Sequence, residues 1–222
     1  MYSGYLSWLE TEIGIGKLID YGCGIGTFID LAQARGWKVY GLDSSEVTVE
    51  YARARGLPAW TVDEWTAAGP AQEEKGMVDV VTMWDVIEHV EDPPKILQFI
   101  SSLLRDEGIL LLETPSANYL PKRLSLCLTR LSRGRINLAR FFFYPDHRFY
   151  FTLQTLRQLL ENCGFQLIWA RKATTPRAKI MHTLRKVHRA GGLTQTLAWL
   201  TLQITRLFGG NKIIICTRKQ ST

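Results

Sequence analysis

The sequence predicts an α/β protein: a doubly wound, mostly parallel sheet of seven strands carrying helical insertions. Short apolar runs alternate with amphipathic helical stretches along most of the chain, which is the signature of repeated βα units. The first apolar run opens directly into three closely spaced glycines, in "LIDYGCGIGTF" (18–28). A later run, "MVDVVTMW" (77–84), is almost continuously apolar, as expected for a strand buried on both faces of a parallel sheet.

Each element follows in order. An amphipathic opening segment lies around Tyr5 to Ile13, and "KLIDYG" is the first strand. Thr27 to Ala34 form a helix closed by Gly36. "WKVYGLD" is the second strand, and Ser44 or Ser45 caps a helix that Gly56 stops, with Val47, Tyr51 and Ala54 on one face. A third strand lies near Pro58 to Val62, and Asp63 to Gly76 reads as a loop before the fourth strand. Asp92 caps the next helix with Pro93 at its first position; Ile96, Leu97, Ile100, Leu103 and Leu104 line one side, and Gly108 ends it before "ILLLET". After an insertion, Thr152 caps a helix with a Leu153, Leu156 and Leu160 stripe, terminated by Gly164. Phe165 to Ala170 make the sixth strand, and "NKIIICTRK" makes the last.

The reading is one domain over 1–222, with cap insertions at 116–145 and 171–208. Apolar residues make up 46% and charged residues 22%, a balance that excludes a disordered chain. No window reaches the roughly 18 consecutive apolar residues of a membrane span. The four cysteines are dispersed without a CxxC pair or an evident signal peptide, so a reducing cytoplasm is expected rather than a disulfide framework or a zinc ribbon.

The net charge of +6 is unevenly spread. Residues 1–116 carry 19 acids against 8 Lys and Arg, whereas 117–145 carry six Lys and Arg and no acid, and 162–222 carry eleven and no acid. Both insertions mix this charge with apolar residues: Leu120, Leu124, Leu128, Leu131 and "FFFY" in the first, "KIMHTLRKVHR" and "LAWLTLQITRLF" in the second. A basic amphipathic cap suits an anionic membrane surface and a lipid-like substrate; a solvated basic face over a self-packed cap accounts for the same residues. No nucleic-acid reading module is present, so no specific nucleic-acid partner is expected.

The glycine turn satisfies neither common phosphate motif. A dinucleotide fingerprint needs glycine where Thr27 stands, and no lysine supplies a P-loop. Asp43, at the end of the second strand, suits a ribose diol in several nucleotide classes. Taken together, "LIDYGCGIGTF", "YGLDSS", "TVDEW", "VDVVTMWDVIEHVEDP" and "GILLLETPS" resemble, in order and spacing over residues 17–116, the motifs of class I S-adenosylmethionine-dependent methyltransferases. The later "YPDHRFYFTLQTLRQLLENCGF" is similar to the close of the subgroup related to quinone-biosynthesis O-methyltransferases.

That resemblance implies a Rossmann-like methyltransferase fold with S-adenosylmethionine as cofactor. It implies that Asp20 orients the loop or meets the methionine ammonium, and that Gly22, Cys23, Gly24 and Gly26 pass beneath the cofactor. Asp43 and Ser44 would hold the ribose, Val62, Asp63 and Glu64 the adenine, and Trp84 and Asp85 the methionine end. The expected reaction is methyl transfer to a small or lipid-like acceptor at oxygen, in a cytoplasmic protein that can sit peripherally on a membrane. A histidine is the natural base near neutral pH, which selects His89 and His147; His182 and His188 lie among basic residues of the second insertion. Asp85, Glu88 and His89 have the i, i+3, i+4 spacing of one helical face, a set that could hold a divalent cation. Two other readings stay open: a noncatalytic S-adenosylmethionine-binding or membrane-docking module, and an NAD-dependent oxidoreductase.

Overall fold

A computed structural model describes residues 2–67, 70–134, 143–174 and 210–221. Seven strands form one sheet: β1 (Lys17–Tyr21), β2 (Lys38–Asp43), β3 (Ala59–Thr61), β4 (Val78–Trp84), β5 (Leu104–Pro115), β6 (Phe165–Ala173) and β7 (Lys212–Lys219), in the spatial order β3-β2-β1-β4-β5-β7-β6. β1 to β5 are parallel; β7 runs antiparallel to both β5 and β6. The predicted doubly wound, mostly parallel sheet is the observed one. Its order reverses between β1 and β4, the switch point beyond which open α/β sheets bind ligands.

Helices α1 (Tyr2–Ile13), α2 (Thr27–Ala34) and α3 (Glu46–Ala54) belong to the first half of the chain. α1 buries Tyr5, Leu6 and Leu9 and shares one core cluster with Leu18, Phe28, Ile29, Val80 and Trp84. The other face of the sheet buries Ile19, Val81, Met83, Leu110 and Leu112 against Leu97, Ile100 and Leu103 of α6 (Pro93–Leu103) and Leu156 and Leu160 of α8 (Leu153–Asn162). The caps at Asp92 and Thr152 form as predicted, with side chains accepting from the Lys95 and Thr155 amides.

Several local expectations change. Asp63 to Gly76 is no loop: it holds α4 (Val62–Ala67) and α5 (Ala71–Glu74). Thr61 and Glu64 explain α4, since the Glu64 amide donates to Thr61 Oγ1 at 3.1 Å and the Thr61 amide to Glu64 Oε2 at 2.8 Å, a reciprocal cap. α6 ends at Leu103 rather than Gly108, because Leu104 turns extended and pairs with Val78 of β4. α3 buries Val49 and Ala52, leaving Val47 and Tyr51 exposed, and Ser45 rather than Ser44 is its cap. Leu153 stays exposed at the start of α8. β6 runs on to Ala173, in register with Lys212 of β7, so the second insertion begins after the strand. His182, His188 and both apolar-basic motifs of that insertion lie outside the described residues.

The first insertion forms α7 (Leu120–Leu131) with an unexpected orientation. Its buried residues are Pro121, Lys122 and Ser125, while Leu124, Leu128 and Leu131 are exposed. Nothing among the described residues covers this apolar face. Among the described residues no helix is long and apolar enough to cross a membrane.

Candidate active site

Five strands bring their chemistry to one edge of the sheet. The glycine turn leaves β1, Asp43 ends β2, Trp84 ends β4, and Glu113 and Thr114 lie near the end of β5. Because β7 is antiparallel, its first residue, Lys212, arrives at the same edge and pairs with Pro115.

Backbone geometry makes the turn bare. Gly22, Gly24 and Gly26 all have positive φ, at 85°, 52° and 84°. A Cβ on Gly22 would meet Val86 at 2.2 Å and one on Gly26 would meet Leu57 at 2.4 Å, so these two permit close packing inside the protein. A Cβ on Gly24 would meet nothing within 4 Å. Gly24 therefore presents an open face of the turn. The Gly24 amide donates to Asp43 Oδ2 at 2.8 Å and the Ser45 amide to Oδ1 at 2.9 Å, which fixes the carboxylate while leaving it lone pairs for a diol.

Other predicted contacts fall unevenly around this turn. Cys23 is buried, close to the position a Gly41 Cβ would take; its thiol donates to the Gly24 carbonyl at 3.6 Å, and burial pushes it up to about 12. Ser44 is exposed beside Asp43. Asp63 is exposed in the first turn of α4 and Val62 packs partly against the core, whereas Glu64 is drawn to Arg53 at 2.7 Å and to the cap. Trp84 is buried in a ring cluster with Tyr2, Tyr5 and Phe28, at centroid distances of 5.1 to 5.3 Å, so α1 folds over this end of the site.

Buried charge concentrates beneath these rings. Asp20 is 1% exposed and accepts from Thr82 Oγ1 at 2.6 Å; burial pushes its carboxyl up to about 7 against that hydrogen bond, with Asp43 adding to the rise. Lys212 bridges Asp85, at 2.5 Å, and Glu113. Burial works against its charge, but the two carboxylates hold its pKa above the ordinary lysine value. The acid content of this corner raises the Tyr2 phenol to about 12, with burial the larger cause. Sequence reasoning missed Tyr2, Glu113 and Lys212. A lysine opening an otherwise apolar strand and a glutamate closing another were the available signals.

The predicted helical face of Asp85, Glu88 and His89 does not exist. Asp85 adopts φ of 57° and residues 87–89 form a turn, so Asp85 points to Lys212 and leaves the other two. The set brought together is Glu88, His89 and His147, each offering one ligand atom within 4.8 Å of the others. The His89 and His147 rings meet edge to face at 4.6 Å. The Arg148 and Phe149 amides donate to the Glu88 carbonyl at 2.8 and 3.1 Å, tying the His147 segment to the turn after β4.

Tautomer and charge follow from partners. His89 Nδ1 lies 2.8 Å from the Asp146 carbonyl, which can only accept, so Nδ1 carries a proton and the tautomer of the neutral ring places the lone pair on Nε2. His147 is held below the ordinary histidine range by burial, then by His89 and Lys122. Glu88 is 1% exposed and accepts from Thr114 Oγ1 at 2.9 Å, while burial pushes it up to about 7. Its Oε1 and His147 Nδ1 are buried without a hydrogen-bond partner. Two imidazoles, a carboxylate and two orphaned polar atoms fit a divalent transition metal better than magnesium, which prefers oxygen ligands.

Comparisons with known proteins agree with this architecture. A family model described as "Methyltransferase domain" matches residues 8–169. The chain is 30% identical over 118 residues to a ubiquinone biosynthesis O-methyltransferase of Pseudomonas aeruginosa, covering 51% of each chain. It is 28% identical over 179 residues to the protein of that name from Cupriavidus pinatubonensis, covering 76% of this chain and 68% of the relative. The chain spans about half the length of the first curated relatives it matches. Among solved structures, a SAM-dependent methyltransferase from Archaeoglobus fulgidus superposes with a TM-score of 0.58 at 17% identity, over 99% of this chain and 95% of that one. A phosphoethanolamine N-methyltransferase of Haemonchus contortus, solved with S-adenosyl-L-methionine, gives 0.65 at 18%, over 99% of this chain and 53% of that one. With a glycine turn at the switch point, the seven-stranded order and a family model matched across most of its length, the chain belongs to the methyltransferase domain family.

Proposed function

We propose that the chain binds S-adenosylmethionine at the glycine turn and transfers its methyl group to the hydroxyl oxygen of a small acceptor held near His89 and His147. The observation that carries this reading is the juxtaposition of an open Gly24, an Asp43 carboxylate fixed by two backbone amides, and a histidine pair on the same sheet edge. Asp43 and the exposed Ser44 take the ribose hydroxyls, Val62 and Asp63 border the adenine, and Asp20, Trp84 and Asp85 border the methionine end. Tyr2 closes that end from α1.

The sulfonium supplies a methyl group already activated by its positive charge, so the protein's task is alignment, exclusion of water and removal of one proton. His89 Nε2 accepts the hydroxyl proton as the oxygen attacks the methyl carbon in line; the C–S bond breaks and its electron pair stays on sulfur. His147, held neutral, packs against the base and shields it.

A second reading of this corner rests on the two orphaned atoms. A divalent cation held by Glu88, His89 and His147 would lower the acceptor's pKa without a protein base. Chelator treatment separates the two: unchanged turnover after exhaustive chelation leaves the base, and loss restored by manganese or zinc leaves the metal.

The exposed Leu124, Leu128 and Leu131, beside Arg123 and Arg130, support a peripheral contact with an anionic lipid surface and a lipid-like acceptor. Sedimentation with anionic against neutral vesicles tests it; equal recovery with both ends that part of the reading.

Labelled S-adenosylmethionine incubated with the protein and cell extract tests the central proposal, the labelled product giving the acceptor. Titration with S-adenosylhomocysteine tests the site, and Asp43→Ala should weaken that binding at least about tenfold. No binding by the wild type at millimolar ligand would overturn the assignment.

A further inference from the structure

Lys122 stands out as a charge that the proposed chemistry leaves unused. It lies in α7, on the face turned toward the protein, and is 5% exposed. Its Nζ sits 3.2 Å from the Tyr150 ring centroid and 4.5 Å from that of Phe143. Tyr150 in turn lies 5.6 Å from His147, whose own pKa is lowered in part by the Lys122 charge. Lys122, Tyr150, His147 and His89 thus form one continuous row between the cap and the turn after β4.

An ammonium offers three N–H donors and gains only part of its lost hydration from ring faces. No hydrogen bond or ion pair reaches Lys122 Nζ among the described residues. The sequence closes the remaining gap: all 21 Asp and Glu lie in described segments, because 135–142 and 175–209 contain none. No side-chain carboxylate of this chain therefore neutralises Lys122, and burial without a counter-ion lowers it to about 8. Most buried lysines are paired.

We propose that Lys122 recognises the methyl acceptor: its ammonium binds a carboxylate carried by a small aromatic hydroxy acid whose ring lies against Tyr150 and Phe143 while its hydroxyl faces His89. This deepens the methyl-transfer reading and rests on it. A single buried cation without a carboxylate partner matches a monoanion, and the flanking rings match a flat apolar body. Lys122 is then a specificity residue, selecting among acceptors by charge.

The probes are caffeate and its methyl ester, which share ring and hydroxyls and differ in charge. Each is titrated calorimetrically into the full chain saturated with S-adenosylhomocysteine. The wild type should bind caffeate about ten- to a hundredfold more tightly than the ester. Lys122→Met should bind the two alike, Lys122→Arg should keep part of the preference, and Arg123→Met, on the exposed neighbour, should keep all of it. Retained S-adenosylhomocysteine affinity shows that each variant is folded. Equal or absent binding of the two probes by the wild type, or a preference that survives in Lys122→Met, overturns the proposal while the methyl-transfer reading stands. If S-adenosylhomocysteine itself does not bind, the reading fails first and the proposal falls with it.

Discussion

Single side chains carry most of the testable physics. Asp20 is fully enclosed and its carboxyl is raised to about 7, and Glu88 is raised likewise. A folded-state pKa above the unfolded value means that the native state binds the proton more tightly. The stability it contributes is therefore complete below the ordinary carboxylate range and is lost as pH rises through about 7. The ligand-free protein should melt at progressively lower temperature between about pH 5 and pH 8, and Asp20→Asn should flatten that slope, as read by calorimetric scans. Lys212 makes a second case. Replacing it by Met would leave Asp85 and Glu113 facing one another in a buried corner, at a cost of about 3–5 kcal/mol in urea unfolding. Asp43 could be found from sequence because its place at a strand end has one evident use; Lys212 could not, since its partners are 127 and 99 positions away.

At the level of elements, the glycine turn separates two roles that the motif alone merges. Gly22→Ala would combine a left-handed backbone with a Cβ 2.2 Å from Val86, and should destabilise the fold by about 2 kcal/mol or more. Gly24→Ala meets no atom within 4 Å, so only its backbone conformation is penalised, by about 1 kcal/mol. Its methyl group would occupy the open side of the turn, and S-adenosylhomocysteine affinity should fall at least about tenfold while the melting temperature drops by only about 2–4 °C. Helix boundaries were legible where caps were strong, at Asp92 and Thr152. They were misread where a partner decided: α4 exists through the Thr61–Glu64 cap, and Leu104 leaves its helix to pair with β4. The face of α7 ran against pattern because Lys122 turns inward to two rings and three leucines turn outward. Apolar periodicity finds a helix but does not say which side the remaining fold covers.

Across the molecule, periodicity and the order of motifs specified the sheet because each βα unit buries its strand locally. The metal-capable cluster was beyond such reasoning. It joins Glu88 and His89 to His147 through a connection that passes β5 and α7, and long-range contacts reveal it: the Arg148 and Phe149 amides on the Glu88 carbonyl and His89 Nδ1 against the Asp146 carbonyl. Asp85, assigned to that cluster by spacing, belongs instead to Lys212.

The interior position of β7 has a temporal consequence. β6 finds its sheet partner in β7, whereas β5 waits with one side unmatched until that same strand arrives. In a polypeptide made amino end first, β5 and β6 therefore both precede the strand that joins them. The keystone enters late, and it brings Lys212, so completion of the β-layer coincides with the arrival of the lysine that bridges Asp85 and Glu113.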